Sequence, residues 1–182
     1  PPSPAPLTEA QKQQRDTAER MRQNGISRVL AVADTAGYGN IDVTSFAVDQ
    51  FGGQFSLPLQ ADLVWTSDNY HDLHNDRFVG PQLDFTPEDP ARAPTHLDVA
   101  HYDKMIFNAM KPGGTFLVVD HAGAKGTGFT QTASLHRADP EAEKSEILKA
   151  GFVFEGESKA LAKPNDPHTA RAHEQDDQFI LR

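Results

Sequence analysis

Short apolar runs alternate with amphipathic stretches through the second half of the chain. Residues 61–67 (ADLVWTS) and 115–123 (TFLVVDHAG) are apolar runs that end in small or polar residues, a pattern typical of buried parallel strands. Between them, the apolar residues of segment 97–110 recur on one face of a helix, which is expected to end at the turn KPGG. A strand, a helix and a second strand in this order predict a parallel βαβ unit.

The same pattern continues toward the C-terminus. Asp139 and Pro140 suit the cap and the first position of a helix over the segment DPEAEKSEILKAGF. Strands are predicted over residues 152–158 and 177–182. Alternating strands and helices favour an α/β sandwich with a mostly parallel sheet.

The N-terminal part is predicted to be a helix that follows a proline-rich linker. Residues 1–7 are assigned to the linker. A polar helix is expected over residues 8–23, with Thr8 as its N-cap and Asn24-Gly25 as its stop.

The stretch VLAVADTAGYGN, residues 29–40, permits two interpretations. It can be a strand that runs into a cofactor-binding glycine loop, or the end of a helix over residues 26–34 that is followed by turn glycines at Gly37 and Gly39. A strand predicted over residues 41–48 leaves no room for the helix whose N-terminus would hold an anion after a glycine loop. We therefore favour the helical interpretation.

Composition and charge limit the classes of function. A chain of 182 residues, 37% of them hydrophobic, can form one core, so a single domain is expected over residues 8–182. The formal net charge of −9 argues against binding to nucleic acid or to an anionic membrane, and makes a small molecule the expected partner. The absence of cysteine excludes thiolate nucleophiles and cysteine zinc sites. No GxSxG elbow is present, which argues against a nucleophilic hydrolase.

Three motifs, in order along the chain, resemble those of a known family. They are NYHD after residues 61–67, KPGG before residues 115–123, and LHRADP before the next helix. Together with the sequence around them, over about residues 41–182, the chain resembles a bacterial family of predicted S-adenosylmethionine-dependent methyltransferases of the class I, Rossmann-like fold. The resemblance implies a three-layer α/β sandwich, S-adenosylmethionine as cofactor and methyl transfer to a small-molecule acceptor.

The resemblance also implies that part of the family's sheet is missing from this chain. The first strand, helix and second strand, which would form the cofactor half, have no counterpart here. Upstream residues could supply these strands, a second copy of the chain in a homo-oligomer could supply them, or the sheet could pair differently. An upstream segment is favoured because the sequence begins at Pro1. The expected compartment is the cytoplasm or, if an upstream signal has been removed, the periplasm.

The resemblance places the methyl acceptor beside the loop that follows residues 61–67. Catalytic roles are predicted there for Asn69, Tyr70, His71 and Asp72. His71 is the candidate general base because the pKa of an imidazole lies near neutrality. Asn69 and Asp72 would orient the acceptor or the imidazole, and Tyr70 would stack on substrate or cofactor. A structural alternative stays open, since Asn and Asp after a strand often cap a turn and a Tyr there often lies in the core.

Further contacts are predicted around the ends of both apolar strands. Cofactor contacts are expected from Trp65, Ser67 and Asp68, and substrate contacts from Asp120, His121, His136 and Arg137. In an alternative function, a divalent metal binds the cluster His71, Asp72, His74, Asp120 and His121. The spacing of these residues matches no compact metal motif, so no metal ligand is assigned. A Rossmann-like module that binds or assembles without catalysis is a further alternative.

Overall fold

The computed structural model describes residues 8–35, 37–41, 59–75, 97–173 and 176–182. Its helices are α1 (Glu9–Ala33), a 3₁₀ helix (His71–His74), α2 (Val99–Ala109), α3 (Thr132–Leu135) and α4 (Pro140–Lys149). Its strands are β1 (Ala61–Ser67), β2 (Met110–His121), β3 (Glu157–Ser158) and β4 (Gln178–Leu181). The protein is therefore a mixed α/β protein, as predicted, although β3 is much shorter than the strand expected over residues 152–158.

One four-stranded sheet runs through the described residues in the order β1-β2-β4-β3. Strands β1 and β2 are parallel, whereas β4 is antiparallel to both of its neighbours. The prediction of a mostly parallel sheet is therefore wrong for the described residues. The reason lies in segment 159–177, whose described residues contain no helix, because strands joined without a crossover helix pair antiparallel.

Strands β1 and β2, with α2 between them, form the predicted parallel unit. Helix α2 begins after Asp98, whose carboxylate accepts a hydrogen bond from the N–H of His101 at 2.9 Å. Helix α4 begins at Pro140, and Asp139 caps it by accepting from the N–H of Glu141 at 3.1 Å. Both caps are local in sequence, which is why the starts of these helices can be predicted.

The core joins α2 and α4 to strands β2 and β4. Its buried members include Val99 and Ile106 from α2, Ile147 from α4, Val118 from β2 and Phe179 from β4. Burial of these apolar side chains supplies the main stabilisation of this part of the chain.

The KPGG motif lies inside β2 rather than before it. Strand β2 begins at Met110, and its register against β1 shifts between the partners of Ala61 and Leu63. A Cβ at Gly114 would lie 3.0 Å from the carbonyl oxygen of Lys111 and 3.1 Å from that of Ala61. Glycine is needed there because two main-chain segments approach at the irregular start of the strand.

Helix α1 continues through Asn24-Gly25, so the predicted stop at residue 24 is wrong. A glycine inside a helix costs only about 1 kcal/mol relative to alanine, and helix-forming residues follow it. The helical interpretation of residues 26–34 is confirmed up to Ala33, and Gly37 then adopts a positive φ of 101°. Residues 1–7 and 42–48, where a linker and most of a strand were predicted, lie outside the described residues. None of the described helices combines the length and apolar composition needed to cross a bilayer.

Candidate functional site

The candidate site lies at the carboxyl ends of β1 and β2. Because the two strands are parallel, the residues that follow Ser67 and those that end β2 meet at one edge of the sheet. The N–H of Asp68 donates to the carbonyl of Val119 at 2.9 Å, which extends the pairing by one residue. The 3₁₀ helix then brings His71 over the end of β2.

Asp120 holds His71 in place through two hydrogen bonds. The main-chain N–H of His71 donates to Oδ2 of Asp120 at 2.7 Å, and the ring Nδ1 lies 2.6 Å from Oδ1. Oδ1 also accepts from the N–H of His121 at 2.8 Å. A carboxylate beside Nδ1 keeps a proton on that nitrogen, so Nε2 of His71 presents a lone pair. Asp120 is fully buried. Its carboxylate is therefore the partner of His71 and is not accessible to a substrate.

Three potential ligand atoms converge on the other side of the His71 ring. Nε2 of His71 lies 3.2 Å from Nδ1 of His136 and 3.4 Å from Oδ1 of Asp72. Nδ1 of His136 lies 3.6 Å from the same carboxylate oxygen. We call His71, Asp72 and His136 the triad. The side chain of His71 is only 1% exposed, whereas those of Asp72 and His136 are 21% and 30% exposed, so a small molecule would meet the latter two.

The two imidazoles of the triad have opposite pKa shifts. Burial lowers the pKa of His71, but the hydrogen bond and the negative charge of Asp120 outweigh it and leave the pKa above its ordinary value. Burial and the positive charge of Arg171 lower the pKa of His136 below its ordinary value. The outer ring is therefore neutral at neutral pH and can accept a proton or bind a cation.

His136 reaches the triad through a local backbone feature. It caps the C-terminal end of α3 in the left-handed conformation, with φ of 53° and ψ of 47°. Its N–H donates to the carbonyl of Thr132 at 3.0 Å, which closes the last turn. A non-glycine residue in this conformation is uncommon and is often found at functional sites.

Tyr70 and His74 point away from the triad, toward α2 and α4. The hydroxyl of Tyr70 lies 2.9 Å from both carboxylate oxygens of Asp103 and 3.3 Å from Oε2 of Glu146. His74 Nε2 lies 2.8 Å from the same oxygen of Glu146, and its ring stacks on Phe129 at 3.5 Å between centroids. Tyr70 is only 1% exposed, so its ring is not accessible for stacking on a ligand. It lies in the core, as the structural alternative for this residue expects.

The predicted cofactor contacts follow one another along the end of β1. The indole of Trp65 is 66% exposed. Asp68 accepts a hydrogen bond from Nε2 of Gln178 at 2.5 Å and lies 3.7 Å from Nε2 of His121. The side chain of Asn69 accepts from the hydroxyl of Thr66, a turn contact of the kind that the structural alternative describes. Ser67 donates to Asp68 at 3.4 Å.

Arg137 is directed away from the triad and is buried. Its guanidinium donates to the carbonyl oxygens of Ala122 and Ala170 at 2.8 and 2.9 Å. It also pairs with Asp166 at 2.9 Å and with Asp176 at 3.1 Å. Each guanidinium nitrogen of Arg137 therefore has a partner among the described residues, and Arg137 holds the segment after β3 against the end of β2 instead of facing a substrate.

Glu143 is a buried acid that was not among the predicted site residues. It is fully buried in α4, and neither carboxylate oxygen has a hydrogen-bond partner among the described residues apart from the neighbouring acid Asp120. Burial and the charge of Asp120 raise the pKa of Glu143 well above its ordinary value, which favours the protonated form that can donate to Asp120. Helical spacing was the available signal, because Glu143 shares a face with Ile147 and Ala150, both buried.

The comparisons with known proteins add no relative: no protein-family model and no curated protein matches this chain. The methyltransferase resemblance therefore stays a prediction that depends on the motifs and on the site.

Proposed function

We propose that this protein is a Rossmann-like methyltransferase that transfers a methyl group from S-adenosylmethionine to a small-molecule acceptor. The observation that carries the proposal is the chain Asp120–His71–His136 at the carboxyl ends of two parallel strands. In open α/β sheets this edge is where ligands bind. The motif NYHD supplies His71 of this chain and the motif LHRADP supplies His136.

The groups that suit an adenosyl ligand lie at the end of β1. The exposed indole of Trp65 offers a ring for stacking, and the carboxylate of Asp68 offers an acceptor for ribose hydroxyl groups. When bound, S-adenosylmethionine supplies the methyl group. Gly37 and Gly39 follow a helix rather than a strand, so they do not form a cofactor-binding loop. Among the described residues, the contacts proposed for the cofactor therefore come from β1 and the residues that follow it.

The proton of the acceptor is handled by the two imidazoles. With S-adenosylmethionine bound to supply the methyl group, Nε2 of His136 would take the proton that the acceptor atom releases. Nδ1 of His136 can pass a proton to Nε2 of His71, 3.2 Å away. Asp120 stabilises the imidazolium that results, while most of the acceleration comes from holding acceptor and methyl group in line.

The test is binding of S-adenosylmethionine and S-adenosylhomocysteine to the full chain. The chain contains one tryptophan, so its fluorescence reports on Trp65 directly. We expect saturable quenching by both compounds and, by calorimetry, at least tenfold weaker binding by Trp65→Ala. Leu63→Ala is the matched control, since Leu63 is exposed on the same face of β1. Absence of binding by the wild-type protein would overturn the proposal and favour a non-catalytic module.

A further inference from the structure

We propose that the triad of His71, Asp72 and His136 is a binding site for a divalent transition-metal ion, zinc foremost. The three ligand atoms, two imidazole nitrogens and one carboxylate oxygen, all lie within 4.8 Å of one another. The inference goes beyond the proposed function, because a metal can bind here with no methyl donor or acceptor present.

The spacing of the ligand atoms fits a tetrahedral zinc ion. Zinc bonds to nitrogen and oxygen are about 2.0–2.2 Å long, so neighbouring ligands of a tetrahedral ion lie about 3.3–3.6 Å apart. The three distances of the triad are 3.2, 3.4 and 3.6 Å. An ion can therefore bind all three atoms with little movement of the side chains.

The hydrogen-bonding capacity of the three atoms also suits a cation. When Nδ1 of a neutral His71 ring donates to Asp120, Nε2 of His71 and Oδ1 of Asp72 both present lone pairs. A single proton on Nδ1 of His136 can satisfy one of these acceptors at a time. A cation at the centre of the triangle satisfies all three atoms.

Asp120 is placed as the outer partner of a metal-binding histidine. Histidines that bind metals usually donate their second ring N–H to a carboxylate or a carbonyl, which fixes the tautomer and the ring orientation. The 2.6 Å contact of His71 Nδ1 with buried Asp120 has this geometry. It is an observation independent of the triangle itself.

Three protein ligands leave one tetrahedral position for water or for an oxygen of a ligand. Asp72 and His136 are partly exposed, so solvent can reach the site from their side. A metal there takes the lone pair of His71 Nε2 that proton transfer would use, so metal binding and the imidazole relay exclude each other. Bound zinc would therefore prevent proton transfer between the two imidazoles. A hydroxyl group bound to the zinc could instead lose its proton because the metal lowers its pKa.

The experiment is a titration of the full chain with Co²⁺, which gives visible absorption bands in a tetrahedral site, followed by displacement with Zn²⁺. We expect one equivalent to bind, and at least tenfold weaker binding by His136→Gln and by Asp72→Asn. Asp120→Asn removes the outer partner and is expected to weaken binding about 10–100-fold. No methyl donor is present, so failure here is distinct from failure of the proposed function.

His173→Gln is the matched control, because His173 is exposed in the tail and lies outside the triad. It is expected to bind Co²⁺ like the wild type. No stoichiometric binding by the wild type would overturn the proposal, as would unchanged binding by both His136→Gln and Asp72→Asn. Far-UV circular dichroism identifies the variants that fold. Asp72 is partly exposed, so Asp72→Asn is expected to fold, and its Co²⁺ affinity decides the test if another variant does not fold.

Discussion

At the scale of single residues, the site combines an outer pair of accessible groups with a layer of buried acids beneath it. Asp72 and His136 are partly exposed, whereas Asp103, Asp120 and Glu143 are fully buried. The position after a strand was enough to name His71 and Asp72 as candidates, and His136 was named as a substrate contact from its residue type beside a helix start. Burial is set by the packing of distant segments, so the roles of the buried acids could not be predicted from the same pattern.

The hydroxyl of Tyr70 supports the loop that carries His71. Tyr70→Phe leaves the carboxyl of Asp103 without this partner, and we expect the free energy of unfolding to fall by about 1–3 kcal/mol. Urea denaturation measures the change. Tyr38→Phe is the control, because Tyr38 is 51% exposed and the expected change is within about 0.5 kcal/mol. Equal losses in the two variants would show that the contact with Asp103 is not the cause.

Asp103 is expected to make stability depend on pH. Burial raises its pKa to about 7, with the Tyr70 hydrogen bond opposing the rise and the charge of Glu146 adding to it. The ordinary pKa of Asp is about 3.9, so the folded state holds more protons between about pH 4 and 7. The contribution of Asp103 is present in full below about pH 4 and is lost as the pH rises through 7.

Asp103→Asn should therefore flatten the fall in unfolding free energy across this window, as measured by urea denaturation at several pH values. Glu143 is shifted in the same direction, so part of the slope stays. Asp62→Asn, at a side chain that is 80% exposed, is the control and should leave the slope as in the wild type. An unchanged slope in Asp103→Asn would contradict the assignment.

At the scale of elements, the helices and strands that are encoded locally could be predicted, whereas strand pairing that depends on distant contacts could not. Strand β1 and helices α2 and α4 are encoded by apolar periodicity and caps within a few residues, so their existence could be predicted. The pairing of β4 between β2 and β3 depends on residues far apart in sequence, and periodicity contains no information about it.

The irregular start of β2 is predicted to need glycine. Gly114→Ala would place a Cβ about 3 Å from main-chain carbonyl oxygens that cannot move independently of the sheet. We expect a loss of roughly 1–3 kcal/mol in unfolding free energy, comparable to overpacking of a core. Gly156→Ala, where a Cβ meets nothing within 4 Å, is the control with little expected change. Equal stability of the two variants would contradict the reading of the close approach.

At the scale of the whole molecule, Arg137 joins the segment after β3 to the sheet. It pairs with Asp166 and Asp176, while its neighbour His136 belongs to the triad. Burial raises the pKa of Asp166, but hydrogen bonds from the main chain and from Arg137 outweigh it and leave the pKa below its ordinary value. The position of the outer imidazole therefore depends on a segment that contributes no residue to the triad.

Arg137→Ala is expected to lower the unfolding free energy by about 3–5 kcal/mol, because it leaves acidic partners without their cation. Limited proteolysis should then cut residues 159–173 faster than in the wild type. Arg182→Ala is the control, since Arg182 is 61% exposed and its pair with Glu155 is worth at most about 1 kcal/mol. An unchanged cleavage rate in Arg137→Ala would show that residues 159–173 are held in place by other contacts.

The position of β4 also determines an order of events during synthesis. β3 is made before β4, but among the described residues its only strand partner is β4, which separates it from β2. On a growing chain β3 therefore has to wait unpaired, while β1, α2 and β2 can already associate. The edge of β2 over Val118–His121 stays open until β4 emerges. A pause in translation between the two strands would prolong the exposure of that edge, and aggregation at this stage would depend on translation rate rather than on the stability of the finished protein.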